Sequence, residues 1–346
     1  MSIDSLDQKG RKNLENLTLH YLNARDIKAL EMTADEIIAA QEGSLAAQGR
    51  GETVIEPRMH LRPDPEFRGH FNVLRGYIAP IGIAGIKVVG DFIDNYKLGY
   101  PSEFGMLTLM DARTGVPRAV IDATAITDMR TGAMTAVGAK YLAPSKPKVL
   151  GHIGARGSSY WNVKLLDHLF DFDEIRVHSR RPESRNSFGE RLSDDLGKVV
   201  TVTEDWQSCL EGADIMVEAS RLETPEPLFR TEWVRPGALV IPYGTQSTVE
   251  DNITDIMDKI LVDHWDQCLI GPFGCLRRHV DEGRVTRDTI HGEIGSVCAN
   301  ELTGRESDDE TILFWHRGLS TSDIALGWAM LEKAKRLNIG TVLDYT

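Results

Sequence analysis

The stretch VLGHIGARGSSYWNV, residues 149–163, limits what this chain can fold into more than any other segment. An apolar run leads into glycines and then into a mixed apolar and polar run. That order reads as strand, tight turn, helix. Glycine takes the left-handed backbone of such a turn at no steric cost. The rhythm then repeats. EIRVHS reads as a strand and PESRNSFGERLSDDL as a helix. VVTVTE is a strand, DWQSCLEG a short helix and DIMVEAS a strand. TEWVRPGALVIPYG supplies a turn and another strand. Strands alternating with helices predict a doubly wound parallel sheet.

The segment before the hinge PSKP (144–147) has another character. Residues 1–17 read as a flexible tail. Two helical signals follow, the first capped by Asn23, the second by a Thr33/Glu36 box. Ile37, Ile38 and Leu45 share one helical face. GRGE (49–52) ends that helix. VIEPRMHL, HFNVLRGYI, IAGIKVVG, GMLTLMDA and PRAVIDA then predict a mostly antiparallel sheet, with DARTG (111–115) as a hairpin turn. Residues 125–142 return to helix, with Thr127 or Asp128 as N-cap. The amphipathic TSDIALGWAMLEKAKRLNIG is predicted to return to the first half of the chain. The fold class is therefore α/β in two domains. An N-terminal α+β domain, 18–130, is completed by the C-terminal helix in 318–346. A central Rossmann doubly wound parallel sheet spans 131–317.

Bulk properties exclude some functions. The net charge is −13 and no basic run occurs, which argues against a nucleic-acid partner. The N-terminus lacks a secretory h-region, and no apolar run is long enough to span a membrane. Cys209, Cys268, Cys275 and Cys298 form no C-x-x-C, so reduced thiols and a cytoplasmic location are expected. His291 and Glu293 lack further ligands for a metal site, and none is expected. The six tryptophans read as packing residues.

A glycine turn after the first strand of a βαβ series is where a dinucleotide pyrophosphate binds, on the N–H groups of a helix N-terminus. The candidates are Gly154, Ala155, Arg156, Gly157 and Ser158, with Ser220 at the end of DIMVEAS. The same glycines would also serve a turn that holds nothing. Arg156 stands where the G-x-G-x-x-G pattern has its second glycine. The end of the second strand reads RVHSRRPESR, with no acid before Glu183. Ser179, Arg180 and Arg181 suit a 2′-phosphate, so NADP(H) is preferred over NAD(H). An arginine there can also merely stack on adenine or face water.

The run TGVPRAVIDATAITDMRTGAMTAVGAKYLA (114–143) resembles the ornithine cyclodeaminase/mu-crystallin family. YLNARDI, the Pro-Arg pair of EPRMHL, the Gly-x-Lys of AGIKVVG and ELTGRESDDETILFWHRGLSTSDIALG agree with it. The resemblance covers nearly the whole chain. It implies a homodimer, a nicotinamide cofactor, and hydride transfer at the α-carbon of an amino, imino or keto acid. Arg58 and Arg130 then map onto a substrate-carboxylate clamp, which a guanidinium fork suits. Lys87 maps onto the acid/base, and Thr131 onto a cofactor contact. A lysine on an apolar strand is otherwise read as snorkelling. His60, Arg62, Arg75, Arg221 and His316 are grouped near the same strands. His60 and Arg75 are taken as substrate-binding, in a second positive patch suited to a dicarboxylic imine such as iminosuccinate. Solvated surface arginines are the alternative.

Two departures shape the expected reaction. Gln246, in YGTQSTVEDN, stands where cyclodeaminases carry an aspartate. Asn72 stands near the position of their amine-binding glutamate. Loss of both anions disfavours ring closure of a diamine with ammonia release. The expectation is an NAD(P)H-dependent, reversible reductase of a small α-imino or α-keto acid. The rivals are a cofactor-recycling cyclodeaminase and a cofactor- or ligand-binding protein that does not catalyse.

Overall fold

The computed structural model describes residues 17–346, apart from 65, 156 and 223. The sequence's α/β reading holds: the described residues form two eight-stranded sheets. The expected tail falls outside them except for Leu17, whose carbonyl accepts the N–H of Tyr345.

The first sheet contains β1 (Thr18–Leu22), β2 (Thr53–Ile55), β3 (Met59–Leu61), β4 (Gly69–Ile78), β5 (Ile83–Phe92), β6 (Glu103–Asp111) and β7 (Pro117–Asp122). A last strand, Thr341–Asp344, pairs with β1 at one edge. The order from that edge is β1-β7-β6-β5-β4-β2, with β3 also beside β4. All pairs are antiparallel except β1 with β7. Helices α1 (Ala24–Ala29) and α2 (Ala34–Gly49) begin as expected. Asn23 Oδ1 accepts the N–H of Arg25 and Asp26, and Thr33 forms its box with Glu36. Each cap is worth about 1 kcal/mol.

Three expectations change here. VIEPRMHL is two strands, because Pro57 lacks an N–H and restricts Glu56; Arg58 sits at that break. β1 and the Thr341–Asp344 strand were not expected, being short segments at one edge of the sheet. Thr127 and Asp128 are not N-caps. Helix α3 (Thr124–Leu142) starts earlier, and Asp122 Oδ1 accepts the Thr124 N–H. Both side chains are thereby released to other partners. The hairpin at 111–115 forms as read, with Asp111 Oδ1 accepting from Arg113, Thr114 and the Thr114 hydroxyl.

The second sheet contains β8 (Val149–Ile153), β9 (Glu174–His178), β10 (Val200–Val202), β11 (Ile215–Glu218), β12 (Leu239–Pro242), β13 (Lys259–Val262), β14 (Gly292–Glu293) and β15 (Ile312–Trp315). The order is β10-β9-β8-β11-β12-β15-β13-β14, parallel throughout. Helices α4 (Ser159–Phe170) and α5 (Pro182–Leu196) connect the first three strands. The strand order reverses between β8 and β11, which opens a crevice at their C-terminal ends. All four cysteines are free and buried. No helix among the described residues is long and apolar enough to cross a membrane.

The C-terminal helix, Ser320–Leu337, packs on α2, β4 and β5. Glycines let it come close. A Cβ on Gly85 would lie 2.7 Å from Ile324 Cγ1, and one on Gly76 would lie 2.6 Å from Ser320 Oγ. This close seating brings Asp323, fully buried, onto the inner face of the sheet. Gly85→Ala should therefore cost about 1–3 kcal/mol by overpacking. Urea unfolding measures it, and an unchanged midpoint would show that the helix has room to move.

Candidate active site

Side chains along a strand alternate between faces. On β5, Ile83, Gly85, Lys87, Val89 and Asp91 are buried while Ile86 is exposed. Lys87 lies opposite Leu74 of β4 and Leu107 of β6. Its ammonium is 2.6 Å from Asp323 Oδ1 and donates to Thr127 Oγ1 at 3.1 Å. Burial pulls its pKa down to about 8, with Asp323 opposing that shift and Arg130 adding to it.

Arg130 is one helical turn beyond Thr127 and donates from Nε to the same Asp323 oxygen at 3.0 Å. Arg58, at the break between β2 and β3, donates from Nη2 to the carbonyls of Arg317 and Gly318. Burial, then Arg317 and Arg130, lowers its pKa to about 10. Gly318 makes this convergence possible. Its φ is +81°, and a Cβ there would collide with the Arg130 guanidinium. Asp263 Oδ2 fixes the loop from beneath by accepting the N–H groups of Arg317 and Gly318. Two guanidiniums, one ammonium and one buried carboxylate therefore meet where β5, α3 and the C-terminal helix cross.

The glycine turn stands at the switch point of the second sheet. Gly154 has φ +107°, and a Cβ there would lie 2.7 Å from the Ala219 carbonyl of the neighbouring strand end. Its N–H donates to the His178 carbonyl. Gly157 follows with φ +52°. No side chain caps α4, so its first-turn N–H groups remain available to an anion. Arg156 lies outside the described residues. The Ser158 hydroxyl is bonded to Tyr243 at 2.7 Å. These features fit a pyrophosphate. Ser179 and Arg180 follow β9 directly. Arg180 pairs with Glu226, and the exposed Arg181 leads into α5.

Glu218 is a buried hub that sequence reasoning missed. Its carboxylate accepts from the Ser220 N–H and hydroxyl, the Gly244 N–H, Thr248 Oγ1 and Cys275 Sγ. It holds together the loops that leave β11 and β12. Beside it, Tyr243 stacks on His316 with ring centroids 4.5 Å apart, and His316 Nε2 contacts Thr135 Oγ1 of α3. Burial, then Arg130, drives the His316 pKa down to about 3, so the ring is neutral.

The structure separates the other candidates. Thr131 is on α3 beside Arg130, its hydroxyl donating to the Thr127 carbonyl. His60 pairs with Asn72 on β4, on the face that carries Lys87, and its ring lies tilted against that of His70, centroids 5.3 Å apart. Arg75 pairs with Ile86 on the opposite face, where it meets Met59 and Glu56. Its grouping with His60 and Lys87 is therefore corrected: strand parity turns it away from them. Arg221 reaches across from the loop after β11 to Asp91 and Glu103 of the first sheet. Gln246 lies in the loop after β12. His291 and Glu293 bond to protein groups, and no group of metal ligands occurs among the described residues. Asp128 lies against the turn; a Cβ on Gly157 would be 3.0 Å from its Oδ1. Burial and then Glu103 raise its pKa to about 6. Asp323 was given no role from the sequence, although it lies in the segment ELTGRESDDETILFWHRGLSTSDIALG that carries the family resemblance.

The sequence profile of the ornithine cyclodeaminase/mu-crystallin family matches residues 20–338. The chain is 28% identical over 340 residues to the N-((2S)-2-amino-2-carboxyethyl)-L-glutamate dehydrogenase of Staphylococcus aureus, covering 95% of this chain and 99% of that protein. The Thermococcus litoralis Δ1-pyrroline-2-carboxylate reductase, solved with NADH and L-proline, superposes with a TM-score of 0.86 at 25% identity, over 93% of this chain and 99% of that one. An archaeal alanine dehydrogenase dimer with bound NAD gives 0.87 at 26% identity, over 95% and 100%.

Glu218→Gln tests the hub. An amide replaces one acceptor with a donor and leaves buried N–H or O–H groups facing it. The expected loss is about 1–3 kcal/mol in urea unfolding. A change below about 0.5 kcal/mol would show that the loops hold without the charge.

Proposed function

The chain belongs to the ornithine cyclodeaminase/mu-crystallin family, and from that premise we propose that it reduces a small α-imino or α-keto acid to the α-amino acid, reversibly. It is an oxidoreductase of the family's reductase branch, acting on C=N or CH–NH bonds. The observation that carries the reading is the meeting of Lys87 with Arg130 and Arg58 beneath the C-terminal helix. The loss of the expected aspartate at Gln246 points away from ring closure.

Arg58 and Arg130 hold the substrate carboxylate: Arg130 offers the parallel Nη groups beyond its Nε–Asp323 bond, and Arg58, whose Nη2 is given to the Arg317 and Gly318 carbonyls, adds an N–H and its charge. Lys87 gives a proton to the imine nitrogen or carbonyl oxygen. A nicotinamide bound across the crevice would supply the hydride to the α-carbon. Burial around Lys87 excludes water from the proton transfer. Gly154, Ala155, Gly157 and Ser158 hold the pyrophosphate, Thr131 and Ser220 stand beside the nicotinamide half, and Arg156 belongs to the same turn by sequence. His60, on the Lys87 face, contacts the substrate side chain, and a second carboxylate, as in iminosuccinate, suits the nearby His70 and Arg62.

For the adenosine end, Ser179, Arg180 and Arg181 support NADP(H) over NAD(H). Glu226 engages Arg180, which makes Arg181 the freer guanidinium for a 2′-phosphate. We also propose a homodimer. Met59, Leu61, Ile86, Phe104 and Met106 are large apolar side chains exposed on the first sheet. A second copy would cover the outward-facing ones.

Initial rates of NADPH and NADH oxidation with Δ1-pyrroline-2-carboxylate, and with pyruvate plus ammonia or methylamine, test the reading. Lys87→Ala should lower kcat by about 10²–10⁴. The donor must be protonated, so the reductive rate should be full at low pH and fall as pH rises through about 8. Absence of any turnover in protein that binds the cofactor would overturn the reading; proline and ammonia release from ornithine would favour the cyclodeaminase. Arg181→Glu should lower the NADPH/NADH ratio of kcat/KM, and an unmoved ratio would remove Arg181 from the 2′ pocket.

A further inference from the structure

Of the two oxygens of Asp323, one is used twice and the other not at all. Oδ1 accepts from Lys87 Nζ at 2.6 Å and from Arg130 Nε at 3.0 Å. Oδ2 is buried and has no hydrogen-bond donor among the described residues. A buried carboxylate oxygen without a donor is costly and calls for a partner. The other acids near Lys87 are differently engaged. Asp91 and Glu103 are tied to Arg221, and Asp128 faces Gly157. Asp323 is the carboxylate in direct contact with the proton donor.

We propose that Asp323 reads the substrate nitrogen: Oδ2 accepts the N–H of the protonated imine, and the site thereby selects C=N over C=O. The proposal rests on the reductase reading above. The total charge is the same at each stage. Lys87, Arg130 and Arg58 against Asp323 leave two positive charges, one of which the substrate carboxylate offsets. When Lys87 Nζ passes its proton to the imine nitrogen, the ammonium becomes a neutral amine and the nitrogen becomes an iminium. The positive charge stays beside the same carboxylate, which now receives the new N–H. The iminium carbon is the better hydride acceptor. A keto oxygen in that place brings lone pairs towards Oδ2 and offers no donor, so the carboxylate disfavours it.

Binding to the unaltered protein, saturated with the oxidised cofactor, tests the proposal directly. L-Proline and (S)-tetrahydrofuran-2-carboxylate have nearly the same shape, and only proline carries N–H. Calorimetric titration should find proline bound about ten- to a hundred-fold tighter. In Asp323→Asn, checked for an intact melting transition, the two affinities should fall within about three-fold of each other. A parallel kinetic arm compares pyruvate with methylamine against pyruvate alone. Asp323→Asn should depress the imine rate far more than the keto-acid rate. Equal affinity of the two ligands in the parent, including no binding of either, overturns the proposal. So does an equal loss of both rates in Asp323→Asn, which would mean that the carboxylate acts only by holding Lys87. If Asp323→Asn does not fold, the parent titration decides alone. If the parent binds proline selectively yet reduces no imino acid, the reductase reading fails and the nitrogen contact stands.

Discussion

The structure depends on one buried arrangement of charge, Lys87 and Arg130 on a shared oxygen of Asp323. Removing three charges from water is expensive, and their mutual attraction repays it only when the geometry is close. Closeness is supplied by backbone rather than by the charges themselves. Gly76 and Gly85 let the C-terminal helix lie directly on β4 and β5, and Gly318 gives Arg130 its place against the chain. Lys87 comes from a central strand, Arg130 from the helix between the two sheets, and Asp323 from near the end of the chain. The site exists only when all three have docked. The same burial that makes the arrangement costly brings Lys87 into the range where it can exchange a proton near neutral pH.

A second buried carboxylate organises the other half. Glu218, at the end of β11, gathers donors from the two loops that flank the crevice. Between the halves runs a polar chain. Ser158 at the start of α4 meets Tyr243, Tyr243 stacks on His316, and His316 meets Thr135 two turns along α3 from Thr127. Thr131, between them, lies over the same helix face. The helix that carries Arg130 is thus in contact with the groups that shape the turn after β8. Precise relative placement of hydride donor and acceptor needs such a connection, because small displacements between reacting atoms cost large factors in rate.

Much of this was legible in the sequence, for definite reasons. The parallel sheet shows itself because its strands are short apolar runs, punctuated by glycine and separated by amphipathic helices. Gly154 was identifiable because its positive φ is a local property of the turn. Lys87 stood out as a charge in an apolar strand. Asp323 did not, since one acid in the first turn of a helix is ordinary, and its partners are 236 and 193 residues away. Glu218 was hidden likewise by donors that come from separate loops. The N-cap of α3 was misplaced because Asp122 supplies the side-chain acceptor from beyond the helix, in the preceding strand. Arg58 was legible through the Pro-Arg pair, though the strand break that the proline causes was not.

Arg75 shows what register decides that composition does not. Arg75 and Leu74 are neighbours in sequence, yet Leu74 faces Lys87 and Arg75 faces Ile86. A shift of one residue moves a side chain through the whole thickness of the sheet. The inner face carries the charges, covered by the C-terminal helix. The outward face carries Ile86 and Met106, both substantially exposed. One sheet therefore does two jobs by alternation alone. Its inner residues build the site, and its outer residues offer an apolar surface of the kind a second copy would bury. Substitutions on the two faces should separate accordingly, even where the residues adjoin along the chain, because the backbone between them transmits position but not contact.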